Sequence, residues 1–191
     1  MSFKDHFSAQ ATDYARFRPD YPAGLFAWLA GIAPMPDTAW DCGTGSGQAA
    51  VGLAAHFRHV IATDPSRRQL EHAEPHPRVE YRQASAEVSL LDTASVDLVT
   101  VAQAIHWFDL EKFYAETKRV LKPGGAIAAW TYTLLDVEAG IDELLTDFYR
   151  NVVGPYWPPE RRMVDDRYRS LQIPFEPLVP PAFEISTEWS R

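Results

Sequence analysis

Residues 38–64, "TAWDCGTGSGQAAVGLAAHFRHVIATD", constrain the fold more than any other part of the chain. A short apolar run leads into glycines at every second position, Gly43, Gly45 and Gly47. An alanine-rich segment follows, then a second apolar run ending in Asp64. Glycines so spaced weaken a helix or strand interior but suit a turn that uses left-handed backbone and brings it close to a ligand. Strand, turn, helix and strand make one βαβ unit, and open α/β sheets bind ligands at the carboxyl ends of their strands.

The pattern continues along the chain. Apolar runs at Thr38–Asp41, His59–Asp64, Val79–Ala84, Val96–Ala102 and Ala126–Tyr132 are near-continuous rather than alternating, as in strands covered on both faces. Between them lie helical segments. "DLEKFYAETKRVL" sets Phe113, Thr117, Val120 and Leu121 along one face, with Asp109 at its N-cap and "KPGG", Lys122 to Gly125, ending it. The fold class expected is α/β, a doubly wound sheet of mainly parallel strands. The chain reads as one domain in three stretches. Residues 1–33 are expected to be helical, with a break at Pro19 and Pro22. Residues 34–133 form the α/β core. In residues 134–191, "DVEAGIDELLTDFYRNVV" predicts an amphipathic helix with Ile141, Leu144, Leu145 and Phe148 inward, followed by a tract rich in proline and aromatics.

Charge and cysteine content narrow the function. The formal net charge is −8, which argues against a nucleic-acid partner. Cys42 is the only cysteine, so neither an internal disulfide nor a multi-cysteine zinc site can form. His72 and His76 are separated by Pro75 and do not share a helix face, so no metal is expected. The start, "MSFKDHFSAQ", lacks a signal-peptide core, and no apolar run reaches membrane-span length. A soluble, cytoplasmic protein without a membrane partner is expected.

Three ligand classes compete for the glycine turn. A P-loop requires Lys followed by Ser or Thr, whereas Gln48 and Ala49 follow here. The dinucleotide form G-x-G-x-x-G fails from Gly43, where its last place is Gln48, and is met only loosely from Gly45, with Ala50 last. D-x-G-x-G-x-G fits without adjustment, from Asp41 through Gly43, Gly45 and Gly47. Asp64, about 20 residues on, is placed to accept hydrogen bonds from ribose hydroxyls. That role suits NAD equally, and capping of a helix beginning near Ser66 is the bland alternative.

The D-x-G-x-G-x-G loop resembles the signature of class I S-adenosylmethionine (SAM) methyltransferases. From about Thr38 to Tyr132 the chain is similar to their type 11 domain. "RQASAEVSLLDTASVDLVTVAQAIHWFD" and "FYAETKRVLKPGG" carry the resemblance further. "YARFRPDYP" resembles an N-terminal lid, and "PYWPPERR" resembles an inserted cap near trans-aconitate methyltransferases, which esterify small carboxylic acids. The resemblance implies SAM as cofactor. Asp41, Gly43, Thr44, Gly45 and Gly47 would hold its methionine and ribose, and Asp64 its ribose. Pro65 and Ser66 would lie beside adenine, and Ser85, Ala86 and Glu87 would meet the adenine edge, with Ser85 standing where many relatives carry Asp. Gln103 would lie by the methionine moiety. Tyr14 and Arg18 would close over SAM or merely pack. On the substrate side, His106 would act as general base, as hydrogen-bond partner or only as a satisfied loop histidine, and Trp107 would line the acceptor or pack.

"AQAIHWF" lacks the Asn-Pro-Pro-Tyr type of motif of methyltransferases acting on nucleic-acid bases, which favours a small-molecule acceptor. Arg161, Arg162, Arg167 and Arg169 would attract an anion or form a solvated face. The family's sheet ends in two further strands, for which the sequence after the cap is too short, so an uncovered sheet edge is expected. The functional expectation is methyl transfer to a small molecule, with a carboxylate among the acceptors. The alternatives are a SAM-binding or interaction protein with little catalysis and, less favoured, an NAD-linked oxidoreductase.

Overall fold

The computed structural model describes residues 20–186. Tyr14 and Arg18 lie outside the described residues. The chain forms two compact units, one running to Ala129 and resuming at Pro174, the other spanning Trp130–Ile173.

The first unit is built on five strands, β1 (Thr38–Cys42), β2 (His59–Asp64), β3 (Val79–Gln83), β4 (Val96–Ala102) and β5 (Leu121–Trp130), in the order β3-β2-β1-β4-β5. β1 pairs in parallel with β2 and β4, and β2 in parallel with β3. Helices α1 (Ala23–Ile32), α2 (Gln48–Ala54), α3 (Arg67–Glu71) and α4 (Leu110–Val120) complete the unit. This is the α/β, Rossmann-like fold expected. The three central strands, β2, β1 and β4, are buried nearly throughout, which is why their sequences read as continuous apolar runs. Trp40, wholly buried in β1, donates from Nε1 to Thr63 Oγ1 at 2.8 Å, and its ring lies 6.3 Å from that of Phe113 on α4. One large residue thus joins the sheet to its covering helix while its polar atom is satisfied.

α4 follows expectation at its start, where the Asp109 side chain accepts from Lys112 N, and along its face, where Phe113, Tyr114, Thr117 and Val120 are buried. Its end differs. "KPGG" does not form a terminating turn; β5 begins at Leu121 and runs through those residues. The Lys122 ammonium sits 2.8 Å from the carboxylate of Asp97, a buried β4 residue that also accepts from Thr38 N at 3.0 Å. A side chain on Gly125 would come within 3.2 Å of the Asp97 carbonyl oxygen. A charge pair and a close backbone approach therefore seat the segment against β4, overriding the local turn chemistry. β5 is nowhere fully buried.

The second unit carries α5 (Ala139–Asp147), a π-helical turn over Phe148–Val153, short 3₁₀ turns and α6 (Arg162–Asp165). The helix expected there is present, but its apolar side is not inward. No α5 residue is buried, and Ile141, Leu144 and Phe148 are exposed. Periodicity announces an apolar face; it does not supply a surface to cover it. Arg161 packs over the Trp157 ring at 4.7 Å and donates from Nε to Tyr149 Oη, which itself donates to Asp165. That arginine is a packing element, whereas Arg162, Arg167 and Arg169 are exposed. The stretch expected as one cap, residues 134–191, divides: from Pro174 the chain belongs to the first unit, where Phe183 packs against Trp28 with ring centroids 6.0 Å apart.

No helix among the described residues is long and apolar enough to cross a membrane.

Candidate functional site

Four chain segments meet at the carboxyl edge of the sheet: the glycine loop after β1, the turn after β2, the turn after β3 and the segment after β4. The loop is fastened from below. Gly43 N and Thr44 N both donate to Thr63 O of β2, at 2.8 and 3.0 Å. Asp41, fully buried at the end of β1, accepts from Thr44 Oγ1 at 2.6 Å and from Thr100 Oγ1 of β4 at 2.8 Å. Burial raises the Asp41 carboxyl to about 6, against the lowering effect of the two hydroxyls. This residue is a strut between loop and strand, not a surface group.

Gly43, Gly45 and Gly47 all have left-handed backbone, with φ of +70°, +57° and +87°, but different surroundings. A side-chain carbon on Gly43 would lie 2.7 Å from Ala104 Cβ and 3.1 Å from the Phe108 ring, and one on Gly47 would lie 2.2 Å from Tyr81 Oη. A carbon on Gly45 would meet nothing within 4 Å. Two glycines are therefore required by the protein's own packing. The middle one opens onto the space at the sheet edge, the kind of cradle a bound molecule fills.

Asp64 closes the other side of this space. Its Oδ2 accepts from Gly45 N at 2.9 Å and its Oδ1 from Ser66 N at 2.8 Å. One carboxylate thus fixes both the loop and the following turn. The cap of α3 is supplied by Ser66, whose side chain accepts from Gln69 N, and not by Asp64. Pro65 offers its carbonyl to Gln83 Nε2 at 3.0 Å. After β3, Ser85 and Val88 close a tight turn through an antiparallel bridge, with Ala86 buried inside it. The Glu87 carboxylate accepts from Asp109 N at 3.0 Å.

Past β4, Gln103 has φ of +58°, a costly conformation for a residue with a side chain. A 3₁₀ turn over Ile105–Trp107 follows. His106 is buried there, with its ring centroid 4.7 Å from that of Trp107. The structure thus brings Asp41, Gly43, Thr44, Gly45, Gly47, Asp64, Pro65, Ser66, Ser85, Ala86, Glu87, Gln103, His106 and Trp107 to one edge of one sheet. Cys42 is buried, and burial pushes its thiol far up, which suits a small filler rather than a nucleophile. Among the described residues no group of His, Cys, Asp and Glu side chains could hold a metal ion.

Sequence reasoning missed three contributors. Thr100 is a hydroxyl in the apolar middle of a buried strand, and that oddity was a usable signal. Tyr81 packs over Gly47 and donates to Glu74 O at 2.8 Å, while Glu74 N donates to Ser46 O; nothing in the local pattern announces it. Gln48 begins α2 with its buried Oε1 lacking a hydrogen-bond partner. Such an orphan at the start of the helix after the glycine loop is what a ligand-binding edge displays.

These residues fit an adenosyl cofactor. The glycine loop and the Asp64 carboxylate border an open edge at the carboxyl ends of β1 and β2, and the loop offers no lysine for a phosphate. Comparison with known proteins agrees. Residues 40–129 match the methyltransferase domain model. A methyltransferase of Dictyostelium discoideum is 40% identical over 178 residues, spanning 91% of this chain and 68% of that protein. A SAM-dependent methyltransferase of Saccharomyces cerevisiae is 25% identical over 210 residues, spanning 95% of this chain and 72% of that protein. Among solved structures, a type II methyltransferase from Anaeromyxobacter dehalogenans superposes with a TM-score of 0.82 at 48% identity, covering 88% of this chain and 72% of that one. Two Schizosaccharomyces pombe relatives are matched over about half their length. With the glycine loop, Asp64 and the sheet order in place, the chain belongs to the SAM-dependent methyltransferases.

Proposed function

We propose that this chain transfers the methyl group of SAM to a small-molecule acceptor, with carboxylates the first class to test. The observation that carries this reading is the placement of His106 and Trp107. They follow β4 at the same sheet edge as the glycine loop, one turn beyond the strained Gln103. When bound, SAM supplies an activated methyl group on a sulfonium. The protein's part is then to orient two molecules and exclude water. Gly43 to Gly47 and Asp64 hold the cofactor side on this reading, and the buried His106 either takes a proton from a hydroxyl or donates a hydrogen bond to a carboxylate. A carboxylate acceptor needs no base. The net charge of −8 disfavours nucleic acid as the acceptor, and a cytoplasmic small molecule is the natural partner.

A second reading is SAM binding without efficient transfer. It is favoured by β5, a strand that remains half-exposed at the sheet edge. Titration calorimetry with SAM, S-adenosylhomocysteine and NAD, followed by an assay of S-adenosylhomocysteine release across a panel of acids, phenols and amines, separates the readings. Turnover on an acid supports the proposal. Tight SAM binding with no turnover on any acceptor selects the second reading, and binding of NAD alone rejects both.

A further inference from the structure

We propose that Glu87 is a positioning residue that sets the acceptor-side segment, rather than a reader of the adenine edge. The proposal rests on the cofactor reading above for the meaning of that segment, but its geometry is independent of it. The tight turn at Ser85–Val88 holds Glu87 by its backbone, through the Ser85–Val88 bridge and the bond from Val88 N to Ser85 O. From there its carboxylate accepts from Asp109 N at 3.0 Å. Asp109 is where the segment after β4 ends: its own side chain accepts from Lys112 N and starts α4. The other end of the segment is also held. Ala104 and the Phe108 ring lie against Gly43, so close that any side chain there would collide with them. Residues 104–109 are thus held by the glycine loop at Ala104 and Phe108 and by the turn after β3 at Asp109. His106 and Trp107 sit in the middle of that span.

The consequence is directional. Removing the Glu87 acceptor releases Asp109 N and lets the His106–Trp107 turn shift, while the glycine loop keeps its own ties through Asp64, Thr63 and Thr44. Cofactor affinity and acceptor geometry therefore separate at this residue. An adenine reader would behave in the opposite way, with lost affinity and an undisturbed segment.

The test compares the wild type with Glu87→Ala and Glu87→Gln. Gln keeps an acceptor oxygen within reach of Asp109 N, and Ala does not. Three readouts are taken on the full chain: hydrogen exchange of the Asp109 amide by NMR, the His106 ring resonances, which the Trp107 ring shifts, and S-adenosylhomocysteine affinity by calorimetry. In Glu87→Ala, Asp109 exchange is expected to accelerate by roughly tenfold or more and the His106 resonances to move. In Glu87→Gln both stay near wild type, and in both variants the dissociation constant stays within about twofold, since no backbone tie of the loop is lost. Unchanged Asp109 exchange and His106 resonances in Glu87→Ala overturn the proposal, with or without a loss of affinity. If the wild type does not bind S-adenosylhomocysteine, the cofactor reading fails while the NMR comparison still decides the positioning role. If Glu87→Ala does not fold, a Glu87→Gln variant with fast Asp109 exchange overturns it, because a retained acceptor should suffice.

Discussion

At the residue scale, the three glycines of the loop look equivalent in sequence and are not equivalent in the structure. All three are left-handed, so alanine at any of them costs about 1–2 kcal/mol of backbone strain. At Gly47 the new carbon would also collide with Tyr81, at 2.2 Å from its hydroxyl oxygen. Gly47→Ala is expected to lose about 2–4 kcal/mol in urea denaturation. Gly45→Ala, facing open space, should lose only the strain yet weaken S-adenosylhomocysteine by roughly tenfold or more, since its methyl occupies the cofactor side. Equal stability losses at the two positions would refute the packing argument. Asp41 offers a pH test with a definite sign. Its carboxyl is raised from 3.8 to about 6 by burial, so the folded state holds its proton more tightly than the unfolded chain. Below about pH 4 the group costs nothing. As pH rises through 4 to 6 the unfolded chain ionises first, and a penalty of up to roughly 3 kcal/mol develops and then levels off. Asp41→Asn removes this titration. The stability difference between variant and wild type should therefore shift in favour of the variant between pH 4 and pH 7, by about 1–3 kcal/mol. A pH-independent difference would mean that Asp41 titrates normally.

At the element scale, α4 is held to the β3–β4 connection by a compact polar network. Glu116 accepts from Arg119 Nε and Nη2, each at 2.8 Å, and from Ser89 N at 2.9 Å, while Arg119 Nη2 also donates to Leu91 O at 2.7 Å. The Arg119 side chain, then the Ser89 hydroxyl and amide, hold the Glu116 carboxyl down at about 2. A depressed carboxyl contributes stability that is fully present above the unfolded value of 4.5 and is lost as pH falls through 4.5 towards 2. Thermal melts should show Glu116→Gln less stable than wild type by roughly 1–3 kcal/mol at pH 7, after allowance for the partly exposed Arg119. The gap should close by pH 2, and a gap that persists there would assign the effect to packing. This network was not legible in the sequence, because Ser89 and Glu116 are 27 residues apart and no local spacing pairs them. What was legible had local causes. Strands β2 and β4 are read to the residue because their mainly apolar runs are buried on both faces, and the Asp109 cap because its partner is only three residues away. The glycine loop and Asp64 were readable because a left-handed turn at a strand end demands glycine and a short acceptor close by in sequence. Tyr81 and the Glu87–Asp109 bond were not, since they depend on which strands become neighbours. β5 was misjudged at its start for the same reason: a tertiary ion pair between Lys122 and Asp97 decides it.

At the scale of the whole molecule, the candidate site and a helical stripe of exposed apolar side chains fall in different units of the chain. The glycine loop and Asp64 belong to the first unit, as do Glu87, Gln103, His106 and Trp107. The second unit instead displays Ile141, Leu144, Phe148 and Val152, spaced three or four residues apart along α5 and the π-helical turn, all exposed. A stripe of that spacing is the pattern by which helices associate, and water penalises leaving it bare at about 25 cal/mol for each Å² of apolar area. A charge placed on the stripe should therefore weaken any association that this surface drives. Leu144→Lys combined with Phe148→Lys is expected to raise the monomer fraction in sedimentation velocity at high protein concentration. The same variant should bind S-adenosylhomocysteine within about twofold of wild type, as sites without shared partners act independently. Its core should melt within a few degrees of wild type, because neither side chain is buried. A collapse of cofactor affinity in this variant would show that the stripe supports the binding site after all; unchanged sedimentation would show that the exposed stripe does not drive association.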